Sequence, residues 1–484
     1  MKYVLPLLII TLPLFSYEAD LEKKVDFLEH ELSDLKIQMR YHQDDLDERM
    51  PIIESIEMKS ILDKVNFSPE LQLRLDKMYY ETAKISNENT IIQGSHPMAG
   101  EQRRDEYSKN FDPAAMIRFR LNMSVDFDQY VKFNGRLSYL NSTQSHQRLC
   151  ILSRDIKAAS SSSVFNVDRA YIDFTPNIGS DYAFTFSFGL LPTSGGTPMQ
   201  YAKNEKRKSV FPALVFDMNT YGLIATQKLA KNTFVRAVIA KAYTLDSSFY
   251  PYQCNRENID NANVIGLYTD TKLNFLGSSL LSFGINMLHN LKAHPYLGPD
   301  VTGDNADYLG DMLTFGLGID IENFLDTQTT LFVHSALSNP HGNKNSDDYQ
   351  ILINNNGEQI DPDDPGFTIS NYATGTMLDS NGYSFYTGFR YDLNPTINFG
   401  TEYNYGSKYW FSGTQGAEDM YNKLSTRGHV FELYSTWKFH KNLSSKFGYL
   451  QMHESYTGSG WHFAEPHKKD ASQKIGYLSL EAKF

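Results

Sequence analysis

Sixteen stretches of this chain alternate apolar and polar residues with a period of two, and the breaks between them alternate short and long. The clearest stretch carries Ile117, Phe119, Leu121, Met123, Val125 and Phe127 on one face; Arg118, Arg120, Asn122, Ser124 and Asp126 occupy the other. The final one sets Gly476, Leu478, Leu480, Ala482 and Phe484 against Tyr477, Ser479, Glu481 and Lys483. Such alternation marks a strand that is greasy on one side and wet on the other. Short breaks fall at Asp128-Gln129, Pro176 to Ser180, Ala230-Lys231, Leu276-Gly277, Asn323 to Asp326, Asn394-Pro395 and His440-Lys441. Long polar breaks cover roughly 81–114, 141–163, 192–218, 244–261, 289–308, 338–381, 407–427 and 454–474. A two-sheet sandwich has no reason to gather every long loop at one end. A closed membrane barrel does so by construction, with tight turns on one rim and long loops on the other. The expected fold is an all-β transmembrane antiparallel barrel of about sixteen strands over residues 67–484. Ile117, Phe119 and Leu121 are expected to face lipid.

Composition agrees with that class. The chain has 484 residues and a net charge of −12, a balance that argues against nucleic acid as a partner. Tyr and Phe number 31 each against 3 Trp, a richness that suits many strands with one apolar face. No internal run is long enough for a membrane-spanning helix, which leaves the barrel untouched, because barrel strands carry a weak hydropathy signal.

Residues 1–16 read as a secretory signal peptide: Lys2, then an apolar run from Val4 to Phe15, then Ser16. A helix with 3-4 apolar spacing is expected over 17–50. Val25, Leu32, Met39 and Leu46 take one heptad position; Leu21, Leu28, Leu35 and the polar His42 take the other. Self-association as a short coiled coil is the favoured use of that stripe, and packing against the protein's own body is the alternative. Pro51 ends the helix. Residues 51–66 are expected to form a linker helix, with the barrel beginning at 67.

Signal peptide, coiled coil, sixteen amphipathic strands and the terminal Phe484 together resemble the general porins of the bacterial outer membrane. The likeness is nearer to a porin-like family that carries such a coiled coil before its barrel. The resemblance implies an outer-membrane location in a Gram-negative bacterium and a periplasmic N-terminal segment. It implies lipid and small hydrophilic solutes or ions as partners, and a homotrimer. It also implies that the third long loop, 192–218, folds inward as a constriction. Lys203, Lys206, Arg207 and Lys208 are its basic residues, and a solvated basic surface loop is the alternative.

If the apolar faces meet lipid, the alternate residues line the lumen. The early strands then place Arg74, Arg118, Arg120, Lys132, Arg136 and Arg169 inside, against Asp76, Asp126 and Asp173. A basic wall of this kind favours anions, unless the charges are simply solvated. The leading function is passive diffusion of small hydrophilic solutes with a mild anion preference. The alternative is an envelope tether, with the barrel as anchor and the coiled coil as spacer. The sequence has no motif of an enzyme, a cofactor site or a metal site. The acidic stretch Asp361-Pro362-Asp363-Asp364 lacks the spacing of a calcium loop and reads as a solvated tip.

Cys150 and Cys254 are the two cysteines of the chain, in the second and fourth long loops. A signal peptide would send both to an oxidising compartment, where they form a disulfide or persist as two free thiols. Peptide mapping without reduction is expected to recover them as one linked pair. Recovery of both as alkylated free thiols from fresh protein would exclude the bridge.

Overall fold

The computed structural model describes residues 24–29, 31–36, 38–40 and 43 near the N-terminus. Beyond these it describes 65–83, 106–142, 164–207, 209, 211–241, 263–274, 276–292, 308–342, 352–353, 370–371, 378, 380–414, 419, 421–456, 459, 466 and 468–484. The strands are β1 (Val65–Thr82), β2 (Tyr107–Asn110), β3 (Ala114–Asp126), β4 (Val131–Ser142), β5 (Val164–Phe174), β6 (Phe184–Leu191), β7 (Thr220–Ala230), β8 (Thr233–Lys241), β9 (Asn263–Asn274) and β10 (Ser278–Lys292). They continue as β11 (Tyr308–Glu322), β12 (Thr329–Gly342), β13 (Leu352–Ile353), β14 (Ser370–Asn371), β15 (Gly382–Asn394), β16 (Ile397–Gly406), β17 (Gly428–His440), β18 (Leu443–Tyr456) and β19 (Lys468–Lys483).

The short β2 and the long β3 both pair with β1 and act as one stave. From β3 onward each wall strand pairs antiparallel with the next, β12 passing to β15. β13 and β14 form a separate two-stranded ribbon within the long connection after β12. Closure comes from β19, which pairs with β1 from Glu70↔Lys483 to Thr82↔Ala471. The Phe484 amide then donates to the Pro69 carbonyl at 3.1 Å. The result is a closed barrel of sixteen staves. Each expected strand has its counterpart, and the breaks alternate as the sequence pattern implied.

Burial in this molecule is inverted. On β1, Leu73 is 43% exposed and Leu75 51%, whereas Asp76 is 1% exposed. On β19, Leu478 and Leu480 are exposed while Tyr477 and Ser479 are buried. Exposed Leu267, Phe283, Leu317, Val333, Phe389, Leu433 and Phe447 extend the apolar belt around the wall. An apolar surface this continuous is stable only against lipid. Phe127, Tyr130, Phe174, Tyr182, Trp437, Phe439 and Phe484 are exposed at the tight-turn rim, where aromatic girdles of membrane barrels sit. The chain is therefore a transmembrane β-barrel.

Two local departures from simple alternation matter. The β4–β5 register shifts between Arg136↔Arg169 and Leu137↔Val167, leaving Asp168 as an extra residue in β5. A bulge re-aims the side chains on either side of it. Val167 is exposed, and Asp168 is buried beside Arg169 on the lumen side. Strict alternation had no place for Asp168 there. The second departure is at the first boundary: β1 opens at Val65, so Val65 and Asn66 are extended and not part of a helix over 51–66.

Residues 24–29, 31–36 and 38–40 are helical. Val25, Leu28, Leu32, Leu35 and Met39 of the heptad stripe are exposed. Leu21, Leu46, His42, residues 1–16 and 51–64, Cys150 and Cys254 lie outside the described residues.

Leu433, 46% exposed on β17, tests the lipid face. Leu433→Arg is expected to destabilise the folded barrel by about 2–4 kcal/mol if it sits near mid-membrane. Reversible folding into lipid vesicles under a urea gradient measures this. An unchanged midpoint would show that Leu433 does not face hydrocarbon.

Candidate functional site

The lumen of the barrel is occupied by two of the long loops. The first lies between β6 and β7 and comprises residues 192–207, 209 and 211–219. Leu191, Thr193, Ser194, Thr197, Met199, Tyr201, Phe211, Leu214, Val215 and Phe216 are all buried. A short helix, Gln200–Lys203, lies within it. Its contacts run to the far wall. Thr197 Oγ1 donates to Asp320 on β11, which also bonds His334 Nε2 at 2.8 Å. The Tyr201 ring stacks on Phe332 of β12 at 5.7 Å, and its hydroxyl donates to Glu322 at 3.3 Å. Arg390 of β15 donates to the Tyr201 carbonyl at 3.3 Å and to Asn204 at 2.8 Å. Phe211 meets Tyr268 of β9 edge-on at 4.6 Å. Asn286 of β10 donates to the Val215 carbonyl at 3.3 Å. The wall makes room for this approach: a Cβ at Gly316 would lie 2.1 Å from Val215 Cγ2.

The second inward segment comprises residues 407–414, 419 and 421–427, between β16 and β17. Sequence alone placed it among the long polar breaks and did not foresee that it folds inward. Trp410, Phe411, Thr414, Tyr421, Asn422, Leu424, Ser425 and Arg427 are buried. Its apolar content was the available signal, since solvated loops seldom carry Tyr409-Trp410-Phe411 in a row. The two inward segments meet at a parallel bridge, Asp217↔Thr414, where the Asp217 amide donates to the Gly413 carbonyl at 3.2 Å.

Most lumen charges described are matched. Arg136 grips Asp168 through Nε and Nη2, both at 2.7 Å, with the two side chains 1% and 2% exposed. Arg74 holds Asp76 at 2.7 Å. Arg236 and, at 3.5 Å, Arg207 converge on Asp270. Lys423, from the second inward segment, reaches Glu402, and Glu432 at 2.5 Å. Burial disfavours the charge on Lys423, but Glu402 and then Glu432 outweigh it and hold its pKa well above the usual lysine value.

These pairings resolve where the expected site residues lie. Arg74, Arg118 and Arg120 line an open cavity of about 90 Å³ in the lumen, together with Lys203. Arg136 is locked on Asp168, and Arg169 donates to Ser194 of the first inward loop at 3.2 Å. Lys132 pairs with Asp126 at 3.1 Å, both well exposed. In the early strands Asp76 answers Arg74, and Asp168 answers Arg136. Lys206 is exposed, Arg207 turns to Asp270, and Lys208 lies outside the described residues. Glu205 of the same loop meets Lys483 at 3.2 Å. Seven basic and five acidic side chains line the open space, among them Lys423, Lys446, Lys483, Glu70, Glu432 and Glu481. Sequence reasoning missed Asp168 and Lys423. The first needed the bulge, and the second needed a loop folded against the wall. Among the described residues, no cluster of three or more His, Cys, Asp or Glu side chains is arranged to hold a metal ion.

Inverted burial and a polar lumen crossed by inward loops define the class: a membrane barrel with a partly filled interior. The chain belongs to the family described as Protein of unknown function (DUF3373), whose model matches residues 108–480. No curated protein matches. Among solved structures it is similar to OprB of Pseudomonas putida at high pH, at 10% identity and a TM-score of 0.45, over 88% of this chain and 96% of that one. It is similar to an anion-selective porin from Comamonas acidovorans at 12% identity and 0.45, over 87% and 100%. OmpF of Salmonella typhi, in complex with daunomycin, aligns at 10% identity and 0.41, over 86% and 97%.

The Arg136–Asp168 pair gives a direct test of the bulge. Asp168→Ala leaves a buried guanidinium without its carboxylate and is expected to cost about 3–5 kcal/mol. Urea unfolding in vesicles reads the loss. A cost under 1 kcal/mol would mean that water reaches Arg136 freely.

Proposed function

We propose that the protein is an outer-membrane porin through which small hydrophilic solutes diffuse passively, without enzymatic turnover. The observation that carries this reading is the open cavity lined by charged side chains inside an apolar-faced barrel. Hydrophilic solute needs water and polar partners to cross hydrocarbon, and a polar lumen supplies both. The excess of two basic side chains in its lining supports a mild preference for anions. The matched pairs, Arg136 with Asp168 and Arg74 with Asp76, argue for keeping that preference mild.

The remaining parts of the reading follow from the sequence. Residues 1–16 direct export, the helix that follows lies in the periplasm, and its exposed apolar stripe assists a trimer that rests on the porin resemblance. The exposure of Val25, Leu28, Leu32, Leu35 and Met39 supports association of that helix with a partner. Cys150 and Cys254 bridge two of the long loops.

Purified protein in planar bilayers tests the channel. Discrete conductance steps are expected, and a reversal potential in a salt gradient should indicate anions as the slightly favoured carriers. A barrel that inserts and stays silent would favour the tether reading, with the helix as spacer. Native mass measurement is expected to give three copies, and deletion of residues 17–50 to lower that number.

A further inference from the structure

We infer that residues 407–414, 419 and 421–427 form a second constriction, latched to the barrel wall by Lys423, so that two loops and not one set passage through the lumen. This inference deepens the channel reading and rests on it.

The physical origin lies in the wall. Glu402 of β16 and Glu432 of β17 are direct cross-strand partners, and both are buried in the lumen. Like charges placed opposite each other on neighbouring strands repel. A cation must sit between them, and the wall supplies only part of one: Lys446 of β18 stands 3.4 Å from Glu432. The loop supplies the rest. Lys423 Nζ donates to Glu402 Oε2, and to Glu432 Oε2 at 2.5 Å. Tyr386 donates to Glu402 at 2.7 Å and Tyr477 to Glu432 at 2.6 Å, fixing both carboxylates toward the lysine. The wall thus needs the loop as much as the loop needs the wall.

Further attachments hold the segment across the lumen: the Phe411 amide donates to Ser338 Oγ of β12 at 3.2 Å, and Asn404 of β16 donates to the Lys423 carbonyl at 3.2 Å. The Tyr421 hydroxyl donates to Asp76 on β1, itself held by Arg74 at 2.7 Å. On the other side, the Asp217↔Thr414 bridge ties the segment to the first inward loop. The segment is also closed on itself. Trp410 Nε1 donates to the Leu424 carbonyl at 3.0 Å, and Arg427 Nε donates to the Trp410 carbonyl at 2.8 Å. Thr414 and Asn422 exchange bonds at 2.8 and 3.2 Å. A compact unit fixed at several points moves as a unit, and Lys423 supplies the cation among them. Lys423 also borders the open space, so its release would widen that space.

Ser425 is fully buried in this unit and serves as a reporter. Full-length protein carrying Ser425→Cys with Cys150→Ser and Cys254→Ser is reconstituted in vesicles and treated with a water-soluble thiol reagent. Adding Lys423→Met is expected to speed labelling about tenfold or more, because local opening governs access to a buried thiol. In bilayers, Lys423→Met should raise unitary conductance, and Lys423→Arg should return both readouts to the parent values. If Lys423→Met fails to assemble, Glu402→Gln with Glu432→Gln removes the repulsion and the latch together, and the same two increases are expected. A conducting parent whose variants show unchanged conductance and unchanged labelling overturns the latch. A parent that never conducts overturns the channel reading, and with it the idea that the segment controls passage.

Discussion

The structure depends on one pairing, β1 with β19. A strand edge in hydrocarbon leaves backbone donors and acceptors with no water to satisfy them, so a membrane sheet must close. Here the first wall strand and the last meet over Glu70 to Thr82 and Ala471 to Lys483, and no edge remains. Closure at sixteen staves also sets the size of the interior. A small barrel fills with its own wall side chains, whereas one of this strand number leaves a lumen that other parts of the chain can enter. Both inward loops are consequences of that space.

What fills the lumen is closer to a protein core than to a bare water channel. Met199, Tyr201, Phe211, Val215, Trp410, Phe411 and Leu424 from the two loops cluster with Tyr268, Phe332 and Tyr386 from the wall. A second cluster joins Ala202 and Tyr421 from the loops to Met78, Tyr434 and Tyr477. Burying these apolar groups in the lumen while exposing Leu, Val and Phe on the outside looks contradictory until solvent is considered. The outer belt exchanges contact with water for contact with lipid, and the inner clusters are covered by other protein. Charges between the clusters are then tolerated because most have a fixed partner.

That mutual coverage gives the inward loops different roles from those of solvated loops. Asp320, His334 and Thr197 join β11, β12 and the first loop in one hydrogen-bonded set. Asp76, Arg74 and Tyr421 do the same for β1 and the second loop. A change in either loop is therefore a change in the wall's electrostatics, and the opening left between them is defined jointly.

The barrel was legible in the sequence because its rule is one-dimensional. Period-two alternation and the alternation of short and long breaks are properties of neighbours along the chain. They located all sixteen staves and the lipid-facing sides of Leu478 and Leu480. The N-terminal helix was legible for the same reason, through its 3-4 spacing. The interior was not. Asp168 escaped because a single extra residue in β5 reverses the face, and alternation cannot register a bulge before the strand pairing is known. Lys423 escaped because its meaning comes from Glu402 and Glu432, which the register of β16 and β17 brings together and which local sequence does not connect to the loop. Local periodicity fixed what each strand shows to lipid. Only long-range pairing decided which charges share the lumen, since charges distant in sequence become partners only when the wall closes around them.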